Sequence, residues 1–170
     1  LDAAERFGPR PALTSPRGAP ITYSQLGTAV REIAGGLAAL GVEPGDHVAI
    51  LCSTRPEWTL ADYGILAAGA TVVPIYPTNS PEECAYVLGH SESVAVFCED
   101  AEQLAKVERI RDGCPALATI VLMKGEAEGT VSLAAYVVAH LCVQRLHQRR
   151  MCVRHDHGSP VPSEVPCRAT

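Results

Sequence analysis

Apolar side chains recur at Leu26, Val30, Ile33, Leu37 and Leu40, the three- and four-residue spacing of a single helix face. Thr22 and Gln25 stand three apart at its start, the pattern of a capping box, and Gly41 follows its last apolar position as a stop. Ahead of it, Ala12 to Thr14 and Ile21 to Tyr23 read as extended pieces. Pro16-Arg17-Gly18 supplies the turn between them, so a short β-hairpin is predicted.

Beyond Gly41 the pattern alternates between short apolar runs and capped helices. His47 to Cys52, Thr71 to Tyr76, Val94 to Cys98 and Thr119 to Met123 have strand length and tight polar or glycine-containing boundaries. Between them lie three predicted helices. Pro56-Glu57 opens one that ends near Gly69, Ser80-Pro81-Glu82-Glu83 caps one that runs to about Leu88, and Asp100 with Gln103 caps one carrying Leu104, Val107 and Ile110. Pro74 cannot donate to a ladder, which places its strand at a sheet edge or a strand end. Strand starts at 47, 71, 94 and 119 are spaced 24, 23 and 25 residues apart, the spacing of strand–helix–strand units with right-handed crossovers. The fold class is therefore α/β, a parallel sheet with flanking helices preceded by a short hairpin. Ser132 is expected to cap one more helix, Leu133 to about His140.

Composition changes the picture at one place. The 170 residues are 47% hydrophobic and 19% charged, which suits a buried core, but the formal charge of −5 is unevenly spread. Up to His140 there are nine Lys and Arg against seventeen Asp and Glu; beyond it there are five against two. The last 30 residues also hold three of the seven Cys, three of the six His and a run of prolines. Residues 1–140 read as one folded unit, and 141–170 as an atypical tail that is either disordered or out of frame, with a shifted reading frame favoured on composition. The first residues lack an initiator Met and a signal-like pattern, so the sequence reads as starting inside a longer frame. The apolar runs 65–75 and 131–143 fall short of the roughly 18 residues that a membrane-spanning helix needs. The acidic balance argues against a general nucleic-acid binder. Cysteines in apolar runs, such as Cys52 and Cys98, behave as reduced core residues, which fits the cytoplasm.

Candidate chemistry is sparse. No Gly-x-Gly-x-x-Gly follows a strand, no Gly-x4-Gly-Lys-Ser/Thr exists, and no Gly-x-Ser-x-Gly occurs, which removes the usual signatures of dehydrogenases, phosphate-loop enzymes and α/β-hydrolases. The two lysines, Lys106 and Lys124, lie away from any glycine-rich loop. Cys142, Cys152, His155, His157 and Cys167 carry zinc-ligand chemistry, but without a Cys-x-x-Cys pair they read as part of the biased tail. His47, with Asp46 placed to orient it, reads as a structural histidine because no nucleophile stands beside it. Arg55 and Trp58 at a helix start are candidate ligand contacts, although Arg55 is better placed to pair with a carboxylate such as Glu57.

Several of these features occur together in a recognisable order. Gly45-Asp46 precedes a strand and Pro56-Glu57-Trp58 opens a helix. Ala68-Gly69-Ala70 precedes Val72-Val73-Pro74, and Ser80-Pro81-Glu82-Glu83 opens the next helix. Read with Leu40 to Leu51 and Arg55 to Leu88 as one block, the sequence resembles the amino-terminal part of the AMP-forming acyl-CoA synthetases, the adenylate-forming superfamily. Val73-Pro-Ile-Tyr-Pro-Thr78 resembles the long-chain fatty-acid branch. The resemblance extends upstream through Ile21 to Leu26 and downstream through Ser91 to Met123.

It implies the amino-terminal subdomain of the adenylate-forming fold, and a ligase that joins a fatty acid to CoA through an acyl-adenylate, using ATP, Mg²⁺ and CoA. It also implies a piece of that enzyme. The family's Ser/Thr/Gly-rich phosphate loop, its ribose-binding aspartate and its late lysine have no counterpart here. No catalytic, cofactor-binding or metal residue transfers, the chain alone is expected to be inactive, and none of the cofactors is expected to bind it tightly. Gly41, Gly45, Gly69 and Pro74 transfer as backbone features only. The expected partner of the whole enzyme is its fatty-acid substrate, with peripheral membrane contact left open. The alternatives are a free-standing α/β ligand-binding module without catalysis, and a dehydrogenase-like cofactor domain that would have to bind NAD without the fingerprint.

Overall fold

Apolar runs bounded by turn residues must bury both faces if they lie inside a parallel sheet, and two runs do so completely. In a computed structural model of the chain, which describes residues 2–15 and 18–133, Val48, Ala49, Ile50 and Leu51 in β3 (His47–Leu51) are fully buried. So are all four residues of β5 (Ala95–Cys98). The two strands lie side by side, parallel, with Val48 opposite Ala95 and Leu51 opposite Cys98. β4 (Thr71–Ile75) flanks β3, and β6 (Thr119–Leu122) flanks β5. A two-residue β7 (Val131–Ser132) pairs with β6, giving the parallel order β4-β3-β5-β6-β7. Pro74 lies in β4 at the edge, opposite Ile50, where a missing N–H costs no ladder bond on the open side.

Strand alternation splits the core into two layers. On one face Val48, Ile50, Ala95, Phe97 and Val121 meet Ile33 and Leu37 of α2 (Tyr23–Ala39) and Ala61 and Ile65 of α3 (Pro56–Ala67). On the other, Ala49, Leu51, Val96, Cys98 and Ile120 meet Cys84 and Leu88 of α4 (Pro81–His90) and Leu104 and Val107 of α5 (Ala101–Ile110). The antiparallel hairpin β1 (Pro11–Ser15) and β2 (Gly18–Thr22) precedes α2 as expected, and α1 (Asp2–Phe7) precedes the hairpin.

The helix ends follow local chemistry. Thr22 and Gln25 close a capping box on α2, and Ser80 and Glu83 close one on α4. Asp100 caps α5 by accepting from the Glu102 and Gln103 N–H groups. Gly41 ends α2 at φ +87°, with its N–H donating to the Ala38 carbonyl and the Val42 N–H reaching back to that of Leu37, a Schellman arrangement that a residue with a Cβ resists.

The structure adds a strand that was not expected: Val131 and Ser132 form β7, because the sheet edge left open by β6 accepts two more residues in parallel register, and Leu133 directly after Ser132 is helical, as expected. The rest of the helix expected from Leu133 to His140, and the tail beyond it, lie outside the described residues. α1 carries a short polar and alanine-rich sequence without a capped apolar stripe, and sequence reading did not foresee it.

α2 and α3 cross closely because Gly64 faces Ile33. A Cβ at Gly64 would stand 2.7 Å from Ile33 Cβ and closer still to Ile33 Cγ2. Gly64→Ala is therefore expected to destabilise the fold by about 1–3 kcal/mol. Ile33→Ala should cost less in the Gly64→Ala background than alone, because the small side chain vacates the space that the new methyl needs. Urea unfolding of the two single variants and the double variant measures the coupling; strictly additive effects would count against this crossing.

Candidate functional site

In an open α/β sheet a ligand crevice forms at the carboxyl ends of the strands, where the strand order reverses. Here that point lies between β3 and β5, since β3 leads outward to β4 and β5 leads the other way to β6. The loops that leave these strands, Cys52 to Arg55 and Glu99 to Asp100, are joined by a charged network. Glu99 Oε2 accepts from the Ser53 N–H at 2.8 Å and the Ser53 hydroxyl at 2.7 Å, while Glu99 Oε1 accepts from Arg55 Nη1 at 3.0 Å. Arg55 turns its other edge to Glu57, with Nε to Oε2 at 2.8 Å and Nη2 to Oε1 at 3.1 Å, a bidentate pair.

The Glu99 side chain is only 18% exposed, so its charge needs these partners. Burial works against its ionised form, but the hydrogen bonds from Ser53 and the Arg55 charge outweigh that and hold its carboxyl down at about 2. Hydrogen bonds from Arg55 likewise hold Glu57 below the ordinary range, and Glu57 in turn raises Arg55. Burial, helped by the nearby Glu99 charge, pushes the Cys52 thiol up to about 12, so it is no nucleophile at neutral pH.

Beside the network is a cleft of about 400 Å³ at the carboxyl ends of β3 and β4. Its walls include Trp58, Tyr76 and Pro77, with the hydroxyls of Ser53, Thr54 and Thr78. Lys106 on α5 fixes the far wall by donating to the Pro77 carbonyl at 2.6 Å and the Asn79 carbonyl at 3.3 Å. Among the described residues, no charged side chain lines the cleft. It suits the apolar or neutral part of a ligand.

The sequence candidates scatter. Arg55 and Trp58 do meet at the carboxyl end, but Arg55 is committed to Glu57, as expected, and to Glu99, which sequence reading missed because 44 residues separate the pair. The one available signal was an acid directly after a buried strand. His47 lies at the opposite, amino-terminal end of β3, and Asp46 does not orient it: that carboxylate accepts from the Glu43 N–H at 2.8 Å and closes the turn. Lys124 is exposed on the loop after β6. Cys142, Cys152, His155, His157 and Cys167 lie outside the described residues. Among the described residues no group of three or more His, Cys, Asp or Glu side chains could hold a metal ion, and no helix is long and apolar enough to cross a membrane.

Comparison with known proteins places this geometry. The profile of the AMP-binding enzyme family matches residues 1–153. The chain is 39% identical over 105 residues to the long-chain-fatty-acid–CoA ligase FadD15 of Mycobacterium bovis, a match covering 62% of this chain and 18% of that protein. It is 36% identical over 111 residues to the long-chain-fatty-acid–CoA ligase heimdall of Drosophila melanogaster, covering 65% of this chain and 16% of the relative. Among solved structures, the anthranilate CoA ligase AuaEII bound to anthranoyl-AMP superposes with a TM-score of 0.76 at 27% identity, over 81% of this chain and 26% of its own. The chain thus spans less than a fifth of the length of these two curated relatives.

The ionised Glu99 sets a pH dependence. Its carboxyl falls from 4.5 to about 2 on folding, so the stability it contributes is complete above pH 4.5 and is lost as pH falls toward 2. Glu99→Gln is expected to lower stability at pH 7 by about 1–3 kcal/mol, since Arg55 and Ser53 lose a charged acceptor. It should also flatten the acid limb, leaving the smaller slope due to Glu57. Thermal melts of both proteins between pH 2 and 7 check this; parallel curves would remove Glu99 from the role.

Proposed function

The chain belongs to the AMP-binding enzyme family, and from that membership we propose that residues 1–140 are the opening α/β portion of an AMP-forming long-chain fatty-acid–CoA ligase. The supporting observation is the family match across residues 1–153, alongside relatives several times longer than this chain. In the whole enzyme the fatty carboxylate attacks the α-phosphate of ATP, giving an acyl-adenylate and pyrophosphate; the CoA thiol then attacks the acyl carbon and releases AMP. A free carboxylate is a poor electrophile, and adenylation gives it a good leaving group. The protein's contribution to such chemistry is positioning and charge stabilisation.

The described residues do not fit that second task. Glu57 and Glu99 are both paired with Arg55, and none of the described residues lining the neighbouring cleft is charged. Among the described residues no group of three or more His, Cys, Asp or Glu side chains could hold a metal ion, and no step is assigned to Mg²⁺ here. The role we assign to this portion is architectural: it presents the β3–α3 and β4–α4 loops to the remainder of the enzyme, and by itself it carries no turnover. The buried free thiols Cys52, Cys84, Cys98 and Cys114 suit the reducing cytoplasm. The boundary at His140 rests on composition, and translating the other two frames of the encoding DNA beyond that codon tests it by the presence or absence of the phosphate-loop motif.

The second reading, a free-standing α/β ligand-binding module, draws on the cleft of about 400 Å³. Two measurements separate them. Incubated with ATP, Mg²⁺, CoA and palmitate, the purified chain is expected to form no acyl-CoA. A chimera of M. bovis FadD15 that carries residues 2–133 of this chain in place of its matched segment is expected to form it. Turnover by the chain alone would overturn the architectural role, and a folded but inactive chimera would favour the binding module.

A further inference from the structure

The cleft beside Trp58 has two loop walls, and both are held from one segment that does not line it. Cys52, Ser53 and Thr54 of the β3–α3 loop form one wall, and Tyr76, Pro77 and Thr78 of the β4–α4 loop form the other. Glu99, directly after β5, takes the N–H and the hydroxyl of Ser53 and one edge of Arg55. Seven residues later, on α5, half-buried Lys106 reaches the opposite wall, donating to the Pro77 carbonyl at 2.6 Å and the Asn79 carbonyl at 3.3 Å. The strand order β4-β3-β5 explains the difference in reach. β3 is the direct neighbour of β5, so a glutamate suffices, whereas β4 lies one strand further away and takes the long stem of a lysine.

The β4–α4 loop has little else to fix it. Its one internal backbone bond runs from the Asn79 N–H to the Tyr76 carbonyl at 3.0 Å, and Pro77 has no N–H to give. Among the described residues no backbone N–H reaches the Pro77 or Asn79 carbonyl, so the Lys106 ammonium is the donor that satisfies both. Such charge-assisted bonds are stronger than neutral ones, and here they tie a loop to a helix 27 to 29 residues away in sequence. We infer that Glu99 and Lys106 are positioning residues that set the width of this cleft from outside, one for each wall, and thereby decide how large an apolar or neutral group it admits. This control of width deepens the architectural role assigned above to the two loops and rests on it only for what they serve; the geometry holds without a ligase.

Trp58 lines the cleft and is the single tryptophan of the chain, so its emission reports on the walls. Quenching of the full chain by acrylamide, a small neutral probe, well below the thermal melt measures how open they are. Loss of a charged donor shifts a loop toward its released form by roughly tenfold. Lys106→Met and Lys106→Gln are therefore expected to raise the Trp58 quenching constant and shift its emission to the red, while Lys106→Arg, which keeps a cationic donor, restores wild-type values. Lys124→Met, on the exposed loop after β6, should change neither. Amide exchange separates the walls: the Asn79 N–H should speed up in Lys106→Met, and the Ser53 N–H, bonded to Glu99, in Glu99→Gln, each without the other. Wild-type quenching in both Lys106→Met and Lys106→Gln would overturn the proposal. So would exchange that accelerates evenly across the sheet, the sign of a general loss of stability. None of these measurements needs turnover, so failure here leaves the ligase reading standing.

Discussion

The fold depends on covering two short strands from both sides. β3 and β5 bury nearly every side chain they carry, and neither can be left facing water. Each fully buried Val, Leu, Ile or Phe contributes about 1.5–3 kcal/mol relative to exposure, so Val48, Ile50, Leu51, Val96 and Phe97 together dominate what holds the sheet in place. That requirement sets the helix layers. α2 and α3 must offer Ile33, Leu37, Ala61 and Ile65 to one face, and α4 and α5 must offer Cys84, Leu88, Leu104 and Val107 to the other. Close approach of α2 to α3 follows, and so does the absence of a Cβ at residue 64.

Covering both faces leaves only the strand ends for polar work. The carboxyl end of β3 and β5 is the natural place for a ligand, and this chain spends its charges there on itself. Ser53, Arg55, Glu57 and Glu99 satisfy one another almost completely: both oxygens of each carboxylate and three guanidinium nitrogens are used. Such a network fixes loop geometry well, because breaking any member strands a partly buried charge. The switch point thus carries a self-paired network, in a chain that spans under a fifth of its two compared relatives.

How much of this was legible in the sequence depended on how local each interaction is. Capping boxes at Thr22–Gln25 and Ser80–Glu83 involve residues three apart, and both were readable. So were the buried runs of β3 and β5 and the edge position implied by Pro74. Pairing of Arg55 with Glu57, two residues away, was anticipated; pairing with Glu99 was not, because nothing in a linear pattern says that β5 lies beside β3. β7 was not foreseen for a related reason. Val131 and Ser132 are strand only because β6 offers an open edge, and two residues carry no periodicity of their own. The Asp46 carboxylate was assigned to His47 by adjacency, whereas turn closure at Glu43 offers it a backbone donor at 2.8 Å.

The family resemblance was legible for a different reason. It rests on the order of loop and helix-start motifs, and those motifs are the ones that the sheet and its crossovers demand: a Gly-Asp turn into β3, Pro-Glu-Trp into α3, Ala-Gly-Ala into β4 and Pro-Glu-Glu into α4. Fold and family were therefore read from the same residues, which is why both came through together. Catalytic identity could not come the same way. In this kind of chemistry it lies in cations, hydroxyls and metal ligands aimed at a phosphate, and the guanidinium at the switch point, that of Arg55, is already shared between two carboxylates. A scaffold can therefore be recognised by its motifs while the ionised side chains at its strand ends are paired with one another, because stability and reactivity place opposite demands on the same side chains.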